Sequence, residues 1–306
     1  MNSVLSVNNL SKNYGVVRAL DNVSFEVPRG SVFGILGPNG SGKTTLLGII
    51  MDVLKANQGS FLWFGQPGSA EQRRNIGTLL ETPNFYHYLS GQKNLEISAA
   101  IKEKGKEDIP KVLEIVNLTQ RKDSKFNTYS LGMKQRLAIA ATLLGDPDIL
   151  VFDEPTNGLD PAGIAEIRQL IKDLSHKGKT IIMASHILDE VEKVCTHVAI
   201  LQKGVLKTSG TVSEVLSGSG SSVTTVQIEI AADDMAALEA AIRQMPGVEH
   251  VIAETNSLAV EINDTVSPAA VNRYLFEKGI VLSQLNLKKT TLEKRFLEIT
   301  GAKSEH

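Results

Sequence analysis

A chain of 306 residues, 42% hydrophobic and 22% charged, has the make-up of a globular protein and length enough for two cores, since domains usually span about 100 to 200 residues. Its formal net charge of −2 supplies no global field toward nucleic acid or an anionic membrane, and its apolar runs fall far short of the ~20 residues of a spanning helix. The single cysteine, Cys195, excludes an internal disulfide, and the opening MNSVLSVNNLSK lacks the apolar core of a secretion signal, so a cytosolic chain is expected.

The first 35 residues alternate as short strands, VLSVNNL and VSFEV, broken at NYG and PRG, and predict a small antiparallel sheet that leads into a buried strand, SVFGILG. A helix is expected from Lys43 through TTLLGIIMDVL, with Leu46, Leu47, Ile50 and Leu54 on its apolar face. From about residue 88 to 145 the spacing turns helical in NLEISAAIK, IPKVLEIVNL and RLAIAATLL, which reads as a helical subdomain. DILVFD and TIIMAS are short enough for buried parallel strands and are separated by the helical AGIAEIRQLIKDLSHK. SGSGSS then marks a linker at 217–222. Beyond it, over 223–306, the order is strand, helix, strand, strand, helix, strand, helix, which suits a ferredoxin-like α+β domain.

The chemistry concentrates in three places. GPNGSGKTT, residues 37–45, follows a strand and opens a helix, the context of a phosphate-binding loop. There Gly37, Gly40 and Gly42 let backbone N–H groups face phosphate oxygens, Lys43 reaches the outer phosphates, and the Thr44 hydroxyl ligates Mg2+. Asp153 and Glu154 end the run ILVF, so the strand delivers both carboxylates to the sheet edge, one for Mg2+ and the other to polarise an attacking water. SLGMKQR places the Ser130 hydroxyl and Gly132 at the start of a helix, a second anion site. Read alone it is also an ordinary N-cap. One nucleotide does not easily serve two helix starts from separate subdomains, which points to a dimer.

These motifs, in this order, make residues 1–216 resemble the ATP-binding subunit of an ABC transporter, of the ABC-2 exporter type. The resemblance implies a P-loop NTPase nucleotide-binding domain of α/β class with ATP and Mg2+ as cofactors. It implies that Asn39, Ser41 and Thr45 join Gly37, Gly40, Gly42, Lys43 and Thr44 in holding nucleotide, with Tyr14 stacking on adenine and Ser130, Gly132 and Asp160 closing on it from a second chain. Glu154 then becomes the catalytic base and His186 the γ-phosphate sensor. Two positions depart from the family pattern. LSGGQ is common where this chain has YSLGM, and Glu81 replaces a glutamine in IGTLLETPNFY, where its carboxylate would join Thr44 and Asp153 around the metal. TPNFYHYLSG is expected to meet the cytoplasmic helix of a membrane permease.

The implied protein is a homo- or heterodimeric ATPase subunit at the cytoplasmic face of the membrane, held there by a separate integral membrane permease that exports a drug, peptide, lipid or polysaccharide. No nucleic acid partner is expected. The alternative is a soluble cassette acting on ribosomes or nucleic acid, and a third reading makes the C-terminal domain a regulatory module.

Overall fold

The strands expected at the start are pieces of one long hairpin, β1 (Ser3–Tyr14) and β2 (Val17–Pro28), and the break at NYG is its tight turn, where Gly15 has φ 57°. This computed structural model describes residues 3–80, 84–217, 226–263, 265–288 and 291–301. Alternation drives the hairpin: Leu5, Val7 and Leu10 of β1, and Leu20, Val23, Phe25 and Val27 of β2, are buried on one side.

β3 (Val32–Leu36) is buried at all five positions, as suits a central parallel strand, and runs through a glycine loop into α1 (Lys43–Ile50). The helix stops short of Leu54. The Gly48 carbonyl accepts from the N–H groups of Val53 (2.8 Å) and Leu54 (3.0 Å), Asp52 turns left-handed at φ 58°, and the Leu54 side chain folds back over Gly48. β4 (Gln58–Trp63) and β5 (Gln66–Pro67) complete a four-stranded sheet in the order β2-β1-β4-β5. Trp63 is fully buried there and donates from Nε1 to the Ile50 carbonyl at 3.0 Å.

A short helix, α2 (Ala70–Arg74), held by a Ser69–Gln72 capping box, leads to β6 (Ile76–Leu79). The helical region follows as α3 (Gly91–Lys102), α4 (Ile109–Ile115) and α5 (Leu131–Leu143). Lys102 donates to the carbonyls of Ala141 (2.9 Å) and Thr142 (3.1 Å), tying α3 to the C-terminal end of α5, and burial pushes its ammonium down to about 8. Then come β7 (Ile149–Asp153), α6 (Pro161–His176), β8 (Thr180–Ser185), α7 (Leu188–Val194), β9 (His197–Gln202), β10 (Val205–Thr211) and α8 (Val212–Ser217). The second sheet has the order β10-β9-β3-β8-β7-β6, parallel throughout except for the β10 edge.

The chain divides into two compact units, residues 1–212 with 296–306, and residues 213–295. In the second, β11 (Val226–Ala232), α9 (Met235–Ile242), β12 (Val248–Ala253), β13 (Leu258–Ile262), α10 (Pro268–Glu277) and β14 (Leu282–Lys288) form an antiparallel sheet in the order β12-β13-β11-β14, the ferredoxin-like arrangement. Its core joins Ile228 and Ile230 to Leu238, Ile242, Val260, Val271 and Leu275. A last helix, α11 (Leu292–Thr300), begins in this unit. SGSGSS lies outside the described residues apart from Ser217.

α7 approaches β3 closely because Gly34 has no side chain. A Cβ there would lie 2.7 Å from Val191 Cγ1 and 3.0 Å from Cys195 Sγ. Gly34→Ala is therefore expected to destabilise the first unit by about 1–3 kcal/mol through overpacking. Adding Val191→Ala should recover part of that loss in urea unfolding, whereas a Gly34→Ala chain as stable as the parent would show that α7 is free to shift.

Candidate active site

Three adjacent strands of the parallel sheet end in one row. Leu36 of β3 pairs with Ser185 of β8, and Ala184 of β8 pairs with Asp153 of β7. The glycine loop after β3, the acidic pair at the end of β7 and His186 after β8 therefore share one edge, the carboxyl ends of the strands, where open α/β sheets bind ligands.

In the loop, Gly42 is the N-cap of α1 at φ 107°, and a Cβ there would sit 2.5 Å from the Ala19 carbonyl oxygen. No side chain caps the helix and its first turn holds no acidic residue, so its leading N–H groups stay open to an anion. Pro38, Asn39, Gly40 and Thr44 are exposed, Gly37 is buried and Thr45 is half-buried. Ser41 lies beneath the loop: its hydroxyl is buried, its N–H donates to Pro38 O at 3.1 Å, and its carbonyl accepts from Gly204 N at 3.0 Å. The β9–β10 turn thus props the loop from behind, a support that sequence reading missed because it joins residues more than 160 positions apart.

The Lys43 ammonium is buried and donates to the carbonyls of Gly37 (2.8 Å) and Pro38 (3.3 Å), and it pairs with Glu154 Oε1 at 3.4 Å. Glu154 Oε2 lies 2.8 Å from His186 Nδ1, and because a carboxylate only accepts, the proton of that contact sits on Nδ1. Lys43, Glu154 and His186 so form one continuous polar chain across the sheet edge. Glu154 leaves the strand in a left-handed turn, φ 48°, fixed by its N–H donating to Ala184 O at 3.0 Å. Asp153 beside it is buried at the strand end.

Tyr14 stands at the tip of the β1–β2 hairpin, 47% exposed, with Lys12 Nζ 5.2 Å above its ring. The same hairpin touches the loop through Ala19. Glu81 lies outside the described residues.

Ser130, Gly132 and Asp160 gather elsewhere. Ser130 caps α5 by accepting from Met133 N at 3.2 Å, and Asp160 caps α6 by accepting from Gly163 N at 3.0 Å. Both line an open depression of about 390 Å3 that also holds Leu131, Gly132 and Gly158. A Cβ on Gly132 would meet nothing. No described hydrogen bond or ion pair joins this set to Lys43, Glu154 or His186. Two ion pairs went unread in the sequence: Arg136 Nε to Glu166 Oε2 at 3.4 Å, and a two-point contact of Arg168 with Glu190. A charge set among Ile164, Ile167, Ile171 and Leu174 was the available signal.

A groove of about 320 Å3 runs past Thr78, Leu80, Phe85, Ile101 and Lys102. Among the described residues no helix is long and apolar enough to cross a membrane, and no cluster of three His, Cys, Asp or Glu side chains would hold a metal unaided. The Thr44 hydroxyl and Asp153 carboxylate are oxygen donors of the kind that suit Mg2+ shared with phosphate.

Comparison with known proteins assigns the chain to one family. The family model described as ABC transporter matches residues 20–157. The chain is 37% identical over 310 residues to the uncharacterized ABC transporter ATP-binding protein YhcH of Bacillus subtilis (strain 168), covering 100% of this chain and 98% of that protein. It is 32% identical over 308 residues to the bacitracin transport ATP-binding protein BcrA of Enterococcus faecalis, covering 98% and 97%. The dimeric post-hydrolysis structure of the ATP-binding cassette MJ0796, bound to ADP and Pi, matches with TM-score 0.61 at 26% identity over 68% of this chain and 98% of that one.

Lys43→Met would leave the loop carbonyls without their donor and Glu154 with His186 alone. Affinity for ATP by titration calorimetry is expected to fall at least about tenfold, the worth of one charge-assisted hydrogen bond. Equal affinity in variant and parent would remove Lys43 from the phosphate contact.

Proposed function

The chain belongs to the ATP-binding proteins of ABC transporters, the ATPase subunits of membrane transport systems, and from that premise we propose that two such chains enclose two ATP molecules and drive a separate membrane permease that exports its substrate. The observation that carries this reading is the Lys43–Glu154–His186 chain at the mouth of the glycine loop. Phosphoryl transfer to water needs a positioned nucleophile and electrostatic stabilisation more than covalent help from the protein, and these groups supply both.

In this reading Lys43 exchanges its loop carbonyls for the outer phosphates. Gly37, Asn39, Gly40, Ser41, Gly42 and Thr45 shape the loop around the phosphates, and Tyr14 offers its exposed ring to adenine. Glu154 orients the attacking water, and His186, anchored through Nδ1, presents Nε2 to the γ-phosphate. Thr44 and Asp153 would hold Mg2+, which, when bound, would neutralise charge on the phosphate oxygens. Ser130, Gly132 and Asp160 face the nucleotide of the partner chain, which the open space at Gly132 favours.

The export reading draws on the full-length match to a bacitracin transport protein, so a drug or peptide antibiotic leads over a lipid or polysaccharide. The groove beside Ile101 and Phe85 would receive the permease's cytoplasmic helix, which places the chain peripherally at the membrane. The relatives' transport names leave the ribosome or nucleic acid reading without support.

Glu154→Gln keeps the shape of the side chain and removes its negative charge. Turnover is expected to fall by about two orders of magnitude or more, while Mg-ATP holds the variant as a dimer that carries a multi-spanning protein out of detergent-solubilised host membranes. Normal turnover would end the assignment of Glu154, and recovery of ribosomal proteins in place of a membrane partner would end the transport reading. Separately, Ile101→Glu, at a side chain 79% exposed, should release the membrane partner and leave ATP affinity as it was. Retention of the partner would place docking elsewhere.

A further inference from the structure

α7 has seven residues, too few for a helix to be stable alone, and no side chain caps its first turn. Its position therefore comes from what it touches. One contact is apolar, Val191 and Cys195 against the backbone of β3 at Gly34. The other is polar: Glu190, 5% exposed, receives Arg168 of α6 through Nε to Oε2 at 3.2 Å and through Nη2 to Oε1. The apolar contact sets how closely α7 lies on β3. A planar guanidinium bound at two points adds a directional restraint on the helix's rotation, because both N–H directions are fixed by the fork.

One end of this brace lies beside the active site: Glu190 is four residues beyond His186, which with Ile187 precedes the first turn of α7. The other end, Arg168, is eight residues beyond Asp160, about 12 Å along α6 at 1.5 Å per residue. Stability alone is a weak reason for the pair, since a buried ion pair rarely outperforms well-packed apolar side chains of equal volume. Orientation is a stronger one.

We propose that Arg168 and Glu190 are positioning residues for hydrolysis: their two-point contact fixes the rotation of α7, and through it the placement of the His186 imidazole against Glu154. This rests on the reading of His186 and Glu154 as the groups that act on the γ-phosphate and its attacking water. Neither positioning residue touches nucleotide, so the phosphate loop, Lys43 and Tyr14 bind ATP as before when the pair is altered.

The test uses the full-length chain with Arg168→Lys, which keeps the charge and loses the fork, and Glu190→Gln, the milder change, which keeps shape and one acceptor. For both, kcat for ATP is expected to fall by about 10- to 100-fold, the scale of an ångström-size misplacement, with KM within about twofold of the parent. The side-chain 15N resonances of His186 should move in the same variants. An unchanged kcat in a folded Glu190→Gln chain overturns the proposal. So does a parallel loss of kcat and nucleotide affinity together with a lowered melting temperature, which marks a plain structural tie. His186→Ala, run alongside, separates the two levels: if it keeps full turnover, the reading of His186 has failed, whereas an inactive His186→Ala beside a fully active Arg168→Lys defeats the positioning role alone.

Discussion

The parallel pairing of β3, β8 and β7 is the constraint on which the rest of the candidate active site depends. Neighbouring strands lie about 4.8 Å apart, so the loop after β3 and the acidic pair after β7 begin about 10 Å from each other with β8 between them. A lysine and a glutamate side chain reaching toward each other bridge such a gap. Lys43 reaches Glu154 at 3.4 Å, and His186, leaving the middle strand, meets the same carboxylate from its other side at 2.8 Å. Another strand order would strand one of the three, and a slip of one residue along β7 would turn the Asp153 side chain to the opposite face of the sheet. Sheet topology here is therefore a condition of the chemistry as well as a scaffold for it.

Glu154 meets that condition at the expense of backbone strain. A left-handed φ of 48° in a residue with a Cβ costs about 1–3 kcal/mol. It persists because the N–H of Glu154 is held by Ala184 O and its carbonyl accepts from Asn157 N at 3.1 Å. Pro155 also bars the preceding residue from the right-handed helical region, so the chain cannot run on from β7 directly into a helix. The sharp turn lifts the carboxylate out of the strand line and toward Lys43. Gly42 at the start of α1 answers the complementary need: there the backbone must pass so near Ala19 that any side chain would collide with it.

Much of this was legible because the signals are local. GPNGSGKTT between a buried strand and a helix, ILVFDE with its terminal carboxylates, and MASH at a strand end each declare a strand, its exit and a polar group within ten residues. The ferredoxin-like unit was readable for the same reason, since QIEI and LAVEI alternate over a two-residue period and HVIA, though less regular, carries the turn signals that bound it. Helix ends were read less well: Leu54 continues the apolar period of α1, but the left-handed Asp52 and the carbonyl of Gly48 close the helix first. The paired charges escaped because their partners lie 22 residues apart for Arg168 and Glu190, and 30 apart for Arg136 and Glu166. No local window contains both members. The support of the glycine loop by Gly204 is more distant still.

α6 is where these long-range pairs meet. Glu166 binds Arg136 of α5, the helix that begins at Ser130, and Arg168 binds Glu190 of α7, the helix that follows His186. The two charges are two residues apart and so stand on different sides of one helix, since two positions turn it by about 200°. Ser130 and Asp160 are each satisfied within their own first turn, so neither must reach across to hold the depression they line. The elements that present Ser130, Asp160 and His186 are instead joined by ion pairs to one helix, α6. A bidentate guanidinium fixes direction as well as distance, so the tie from α6 to α7 is the more directional of the two, and the ion pair to α5 the looser.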